Sequence, residues 1–340
     1  MWNFINSLSL NRYLIALRVN AGLVRSPRYW PVEFSLVLAH VIAERLPTQQ
    51  ARPWRKYLEG WQPYGGVRVV GREKPPVPPE VAWPLPVTWW FYPTVKTDYT
   101  KDELIYLELK LFTDAADHGL FLELILPALE FAGYNVNVPW SGQTTLWGHY
   151  EIHSIWAAHG KQWQPVVQAS KLDLRSRVLP NQWAEGLDFS FDTKRKFTEI
   201  RWVTPFDFAP PQPIPEQPRP YFSPKNVAVA DAPNLRTILE ALIERMTGLL
   251  PGKYHTPEDV WKAADADEQF SLLDALEQGR DSVVRRHSLK PVEREWPGRW
   301  LGSQVFAAPI PLATWPYLEL ASILHVGRQT HLGCGTFYLA

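Results

Sequence analysis

The apolar residues of this chain recur every second residue in some stretches and every third or fourth in others. The order of these stretches limits the fold more than any other feature. Tyr13, Ile15, Leu17 and Val19 alternate with Leu14, Ala16 and Arg18, which reads as a strand. Pro31 opens a helical stretch that runs to about Leu46 and is ended by Pro47. "KPPVPPEVAWPLP" (74–86) reads as a loop, since each proline lacks the N–H that a ladder or helix needs. "ELIYLELKLF" (103–112) alternates again as a strand. "DHGLFLELILPALEFAG" (117–133) reads as a helix stopped by Gly133, and "LWGHYEIHSIW" (146–156) as a further strand.

The second half has the same grammar. "FTEIRWVTPFDF" (197–208) reads as a strand, the proline stretch 209–224 as an extended loop, and "NLRTILEALIERMTGLL" (234–250) as a helix. That helix carries one apolar stripe, from Leu235 and Ile238 through Leu242 to Met246. Strands near 283–288 and 302–308, a short helix near 316–324 and a terminal segment complete it. The expectation is an α+β fold of two tandem ferredoxin-like (RRM-like) βαββαβ domains, residues 1–190 and 191–340. It rests on element order, for the halves share no residue-level repeat. A chain of 340 residues, 46% apolar and 21% charged, has material for two cores.

Charge narrows the function. Lys and Arg number 35 and Asp and Glu 35, so any contact with nucleic acid must come from local patches and not from a basic chain. The acidic helical stretch 257–281 shows how a neutral total can conceal one. A lone cysteine, Cys334, leaves no intrachain disulfide and no cysteine-rich metal site, which fits a reducing cytoplasm. The N-terminal "MWNFINSLSLNRYLIALRV" has no charged lead followed by a sustained apolar run, so neither a signal peptide nor a membrane span is expected. The 17 tryptophans fit packing, a partner surface or base stacking equally.

The chain closes on "HVGRQTHLGCGTFYL" (325–339), with three of its 19 glycines. A nucleotide-binding glycine loop needs a following helix, and the glycine spacing and missing lysine also exclude the lysine-containing phosphate loop. What remains is a glycine loop joining a short helix to a last strand. Such a loop either simply needs glycine to turn tightly or brings backbone N–H groups to a phosphate chain, with Gly327, Gly333 and Gly335 giving the close approach. Arg328 would add charge, and His325, Gln329 and His331 would add donors.

This tail resembles the glycine-rich loop that precedes the last strand in the CRISPR-associated endoribonucleases that process precursor guide RNA, members of the RAMP superfamily. "EIRWVTPFDF" (199–208) is similar to the strand ending in Thr-Pro that opens their second domain. "VVRRHSLK" (283–290) resembles their arginine-rich strand, and "WPVEFSLVLAHVIAERL" (30–46) their first-domain helix, which in many relatives carries a histidine. The resemblance implies metal-independent cleavage of CRISPR repeat RNA to mature crRNA without a cofactor. Attack by a ribose 2′-OH would leave a 2′,3′-cyclic phosphate. It further implies RNA contacts by Arg285 and Arg286, association with other CRISPR effector subunits and no membrane partner. The alternative it leaves open is a non-catalytic RAMP-type RNA-binding subunit.

Histidine is the side chain best suited to the proton transfers near neutral pH. Winding residues 32–46 at about 100° per residue places Glu33, His40 and Glu44 on one narrow polar face. His40 is therefore the expected catalytic residue, with Glu44 one turn on favouring its charged form. Arg18, Arg25, Arg28 and Tyr29 precede that helix and are candidates for the scissile phosphate. His149, Glu151 and His153 alternate onto one strand face in a pattern that can ligate zinc, and an ordinary antiparallel strand explains them as well. No metal is expected.

Overall fold

A computed structural model describes residues 5, 8–25, 29–62, 81–92, 96–140, 144–168, 171–173, 175–185, 195–208, 232–252, 255–293 and 296–340. The chain divides into two compact units, residues 5–187 and 188–340. The boundary expected near 190 and the proline stretch 209–224 fall outside the described residues, as do positions 74–80 of the earlier one.

In the first unit the elements are β1 (Leu10–Val19), β2 (Leu23–Arg25), α1 (Trp30–Arg45), α2 (Thr48–Trp61), β3 (Val87–Tyr92), β4 (Asp98–Thr100) and β5 (Leu104–Phe112). A long helix α3 follows in three stretches, His118–Leu120, the π-helical Phe121–Ile125 and Leu126–Tyr134. Strands β6 (Tyr150–His159), β7 (Gln162–Gln168) and β8 (Lys171–Leu172) complete it. The sheet runs β3-β5-β1-β6-β7-β8 with every pair antiparallel. Its β1, β3, β5 and β6 stand in the order fourth, first, third, second, which is the ferredoxin-like arrangement.

The alternation read in β1 does what it predicts: Tyr13, Ile15, Leu17 and Val19 are fully buried. Tyr13 stacks on Phe121 (centroids 4.0 Å apart), and its hydroxyl hydrogen-bonds to His118 Nδ1 at 3.0 Å, tying strand to helix. Trp30 of α1 stacks on Phe91 of β3, and Phe34 meets the same ring edge-on. Among the described residues ten tryptophans are buried, so their main use is packing: Trp30, Trp54, Trp61, Trp83, Trp89, Trp147, Trp183, Trp202, Trp300 and Trp315.

Two readings of this half need correction. Gly133 does not stop α3; the helix continues through Tyr134 and is capped at Asn135. Gly133 is where the helix backs onto β6, since a Cβ there would lie 2.6 Å from the Tyr150 carbonyl oxygen. Helix α2 is absent from the sequence reading, because Pro47 and Pro53 bracket its start. Its buried Ala51, Trp54, Tyr57, Leu58 and Trp61 form a helical stripe strong enough to override the internal proline.

The second unit holds β9 (Glu199–Phe206), α4 (Leu235–Leu249), α5 (Pro257–Ala263), α6 (Ala266–Arg280), β10 (Val284–His287) and β11 (Lys290–Pro291). β12 (Trp300–Phe306), α7 (Trp315–Leu324) and β13 (Phe337–Leu339) follow. Its sheet runs β10-β12-β9-β13, the same fourth, first, third, second order, with β11 beside β12. Capping boxes at Thr256 with Asp259 and at Asp265 with Glu268 start α5 and α6, as their side-chain types require. Among the described residues no helix is long and apolar enough to cross a membrane.

Candidate functional site

The glycine-rich tail folds as a clasp on the end of β9, bringing together two stretches that the sequence singles out separately. Gly335 N–H donates to the Pro205 carbonyl (2.8 Å), Arg328 N–H to the Asp207 carbonyl (3.0 Å) and Val326 N–H to the Gly335 carbonyl (3.0 Å). Thr336 N–H donates to Thr204 Oγ1 at 3.0 Å. Glycine is required where these strands of chain meet. Gly327 has φ +87° and a Cβ there would lie 2.6 Å from the Asp207 carbonyl oxygen. At Gly335, with φ +86°, a Cβ would overlap the Val326 carbonyl outright.

Most side chains of the clasp serve the clasp. His325 is fully buried, with Nδ1 donating to the Cys334 carbonyl (3.1 Å), so it is an internal tie and not the exposed donor the sequence suggests. Gln329 likewise turns inward, its Oε1 accepting from Gly298 N–H at 2.6 Å. Gly333, at φ +80°, and Gly335 are buried, and their N–H groups donate to the Thr330 and Pro205 carbonyls, so they hold the clasp together and are not the exposed phosphate donors the sequence suggests. Arg328 and His331 stay partly exposed, and Arg328 Nη1 lies 3.7 Å from Asp207 Oδ2. Arg245 of α4 was not legible as part of this region. Its Nε donates to the Leu324 carbonyl (3.1 Å) where the clasp begins, and burial pushes its guanidinium down to about 10.

Arg285 and Arg286 lie on β10, at the opposite edge of the sheet from β13. Three strand spacings, roughly 14 Å, separate them from the strand that the clasp feeds. The β10–β12 register shifts between Val284 and Arg286, so Arg285 is the extra residue of a bulge and both arginines are exposed.

In the first unit, His40 sits on α1 and is partly exposed. The expected polar face is only half realised: Glu44 is exposed, but Glu33 is buried and accepts from Trp147 Nε1 at 2.6 Å. Burial pushes the His40 imidazole below its ordinary range, and Glu44, which pulls upward, does not overcome it. The ring is therefore held neutral, not charged as its neighbour alone would suggest.

Tyr29 does not reach this histidine. Tyr29 is buried at the start of α1, eleven residues and about 16 Å along the axis from His40. Arg25 lies on β2, exposed and 3.9 Å from Asp98 Oδ1. Arg28 lies outside the described residues. Further positive charge in this unit comes from α2, which packs on α1 and exposes Arg52, Arg55 and Lys56. The sequence hid these cations because it hid the helix.

The strand histidines are accounted for without a metal. Arg18 lies between Glu151 (Nη1 to Oε1, 3.2 Å) and His153, to whose Nδ1 it is hydrogen-bonded. His149 Nδ1 is turned to the Thr145 carbonyl at 2.8 Å. Among the described residues no group of three His, Cys, Asp or Glu side chains is placed to hold a metal ion.

No protein-family model matches the chain, and no curated protein sequence matches it. Among solved structures it is similar to a chain of a Cas6-RT-Cas1–Cas2 complex, at 10% identity and TM-score 0.52, over 98% of this chain and 29% of that one. A chain of a partial Cas6-RT-Cas1–Cas2 complex gives the same identity and TM-score, over 98% and 46%. A Cas6 product complex aligns over 98% and 100% at 17% identity and TM-score 0.46. This chain thus spans less than half the length of the first two, and what it shares with them is the tandem ferredoxin-like fold.

Proposed function

We propose that this chain is a Cas6-type endoribonuclease that cuts CRISPR repeat RNA to crRNA. The observation that carries the reading is the clasp of the glycine-rich tail on the Thr204–Pro205 end of β9, within a chain whose two units repeat the Cas6 fold in order. The neutral His40 ring supplies the chemistry. It accepts the proton of a ribose 2′-OH as that oxygen attacks the adjacent phosphorus. The bond to the 5′-oxygen of the next nucleotide breaks, and that oxygen takes up a proton. The products are a 2′,3′-cyclic phosphate and a 5′-OH. A base near neutrality and cations for the developing phosphate charge are sufficient for this step. The partly exposed side chains of Arg328 and His331 grip phosphates, as do those of Arg285 and Arg286.

A non-cleaving RNA-binding subunit would use the clasp in the same way, and His40 is what separates the two readings. The test is incubation with the cognate repeat RNA, chelator present, for the wild type and His40→Ala. Cleavage at one site by the wild type alone, leaving a cyclic phosphate, is expected. Tight binding without cleavage by either protein would replace the enzyme with a scaffold. Equal cleavage by both would remove His40 from the mechanism.

A further inference from the structure

The second unit holds two helices that a βαββαβ plan does not call for. α5 and α6 stand between α4 and β10, where the plan needs α4 alone. α6 buries one stripe, Leu272, Ala275 and Gly279. There it backs onto α4, since a Cβ on Gly279 would lie 3.1 Å from the Arg236 backbone nitrogen. At about 100° per residue, Phe270, Leu273 and Glu277 fall on the opposite face. Phe270 is 74% exposed and Leu273 47%. The turn Leu312–Thr314 packs on α6 and adds Leu312, 49% exposed. Side chains this exposed do little for the core, yet they set apolar surface in water.

The surroundings of this apolar face are acidic. Residues 257–281 hold eight carboxylates against Lys262 and Arg280. Asp259, Asp265 and Glu268 are occupied as helix caps, and Lys262 lies 3.9 Å from Glu258. Asp267, Asp274 and Glu277 stand exposed along α6. Asp274 is met by the neutral Gln278 amide at 2.9 Å. Arg236, which attracts Glu277, is already bound to Glu240 at 2.8 Å.

Ring and rim together select the occupant. These carboxylates would repel a phosphate chain or an anionic lipid surface. A second copy seated by two-fold symmetry would set the same acidic rim against itself. A helix with Lys or Arg bordering an apolar stripe satisfies both features at once.

We propose that the outer face of α6 is a docking site for a basic amphipathic helix of another protein. Phe270 and Leu273 enter the partner's apolar stripe, and Asp267, Asp274 and Glu277 meet its cations. The site lies within the second unit and goes beyond the RNA-cutting reading, with which it neither stands nor falls.

The probe is a fluorescein-labelled peptide of leucine and lysine in heptad spacing, about 14 residues and so about 21 Å long as a helix, which matches α6. Anisotropy titrations on the full chain compare wild type with the double variant Phe270→Ser/Leu273→Ser and with Asp274→Asn/Glu277→Gln. The first is expected to bind at least about tenfold more weakly. The second is expected to lose about threefold to fivefold, with a flatter salt dependence. Carbodiimide should cross-link peptide lysines to Asp267, Asp274 or Glu277, and thermal melts of all variants should match the wild type. Equal affinity for the three proteins would overturn the site. So would equal binding of a peptide of the same composition in scrambled order, which would leave charge attraction only, or of a leucine–glutamate peptide, which would leave apolar contact only. A melt lowered in Phe270→Ser/Leu273→Ser would return the ring to the packing of the unit and reject docking. Dimerisation in sedimentation that this variant abolishes would give the face to a second copy instead.

Discussion

The two units share a strand order and differ in how they bury and pair their charges. On the first sheet the charges are paired among themselves: Arg12 Nε lies 2.7 Å and Lys110 Nζ 3.8 Å from the carboxylate of Glu108, and Arg18 pairs with Glu151. Glu108 and Lys110 are each only 1% exposed. Burial alone would push the Glu108 carboxyl up, but Arg12 and Lys110 together hold it below the ordinary carboxylate range. On the second sheet the single carboxylate, Glu199, is held by Arg201 and leaves Arg285 and Arg286 over. One βαββαβ scaffold thus supports a sheet whose two carboxylates are each held by cations, with one such group buried, and a second sheet that leaves exposed arginines over. The difference lies in which residues alternate along the strands, not in the topology.

The sharpest break in that comparison is a backbone change in the second unit. Gly335→Ala puts a side chain into the Val326 carbonyl at positive φ, and a loss of about 4 kcal/mol in chemical denaturation is expected. Gly248→Ala is its control. That glycine lies within α4 with open space around it, and a gain of about 0.5–1 kcal/mol is expected there. If both variants melt like the wild type, the clasp does not hold the second unit together.

Glu108→Gln comes next. It leaves Arg12 and the buried Lys110 without their counter-charge, and a cost of about 3 kcal/mol is expected by denaturation at neutral pH. The matching change in the second unit, Glu199→Gln, should leave the melting temperature unaltered and tighten RNA binding by about twofold to threefold, because it removes the one carboxylate from a basic face. Comparable destabilisation by the two variants would erase the distinction between the two sheets.

The smallest effect is on acidity. His40 titrates lower in the folded chain than its unfolded value of about 6.5. The neutral ring therefore contributes its full stability above that value, and the contribution is lost as pH falls through it toward the folded pKa. Cleavage should accordingly rise with pH and level off below about 6.5. Glu44→Gln removes the upward pull, so the rise should shift to still lower pH. A pH–rate profile that moves upward in this variant would show that burial is not what sets the ring's charge.

The element order, and with it the fold class, was open to reading because period two and period 3.6 are local properties of β1, α1, β5 and the second unit's β9 and α4. Helix α2 escaped because prolines at 47 and 53 outweigh a stripe that becomes evident only once its residues are seen buried. The candidate residues divide along the same line. That the tail needs glycines, and that Arg285 and Arg286 stand on a strand, are matters of residue type, although only the bulge at Arg285 exposes both arginines. That His325 and Gln329 turn inward, that Tyr29 lies about 16 Å along the helix from His40, and that Phe270 stands outside the core depend on which distant backbone each residue faces. Sequence by itself determined periodicity, and so the elements and their order. The tertiary structure alone decided exposure, pairing and the charge state of His40, because these are set by neighbours remote in the chain and by the water they exclude.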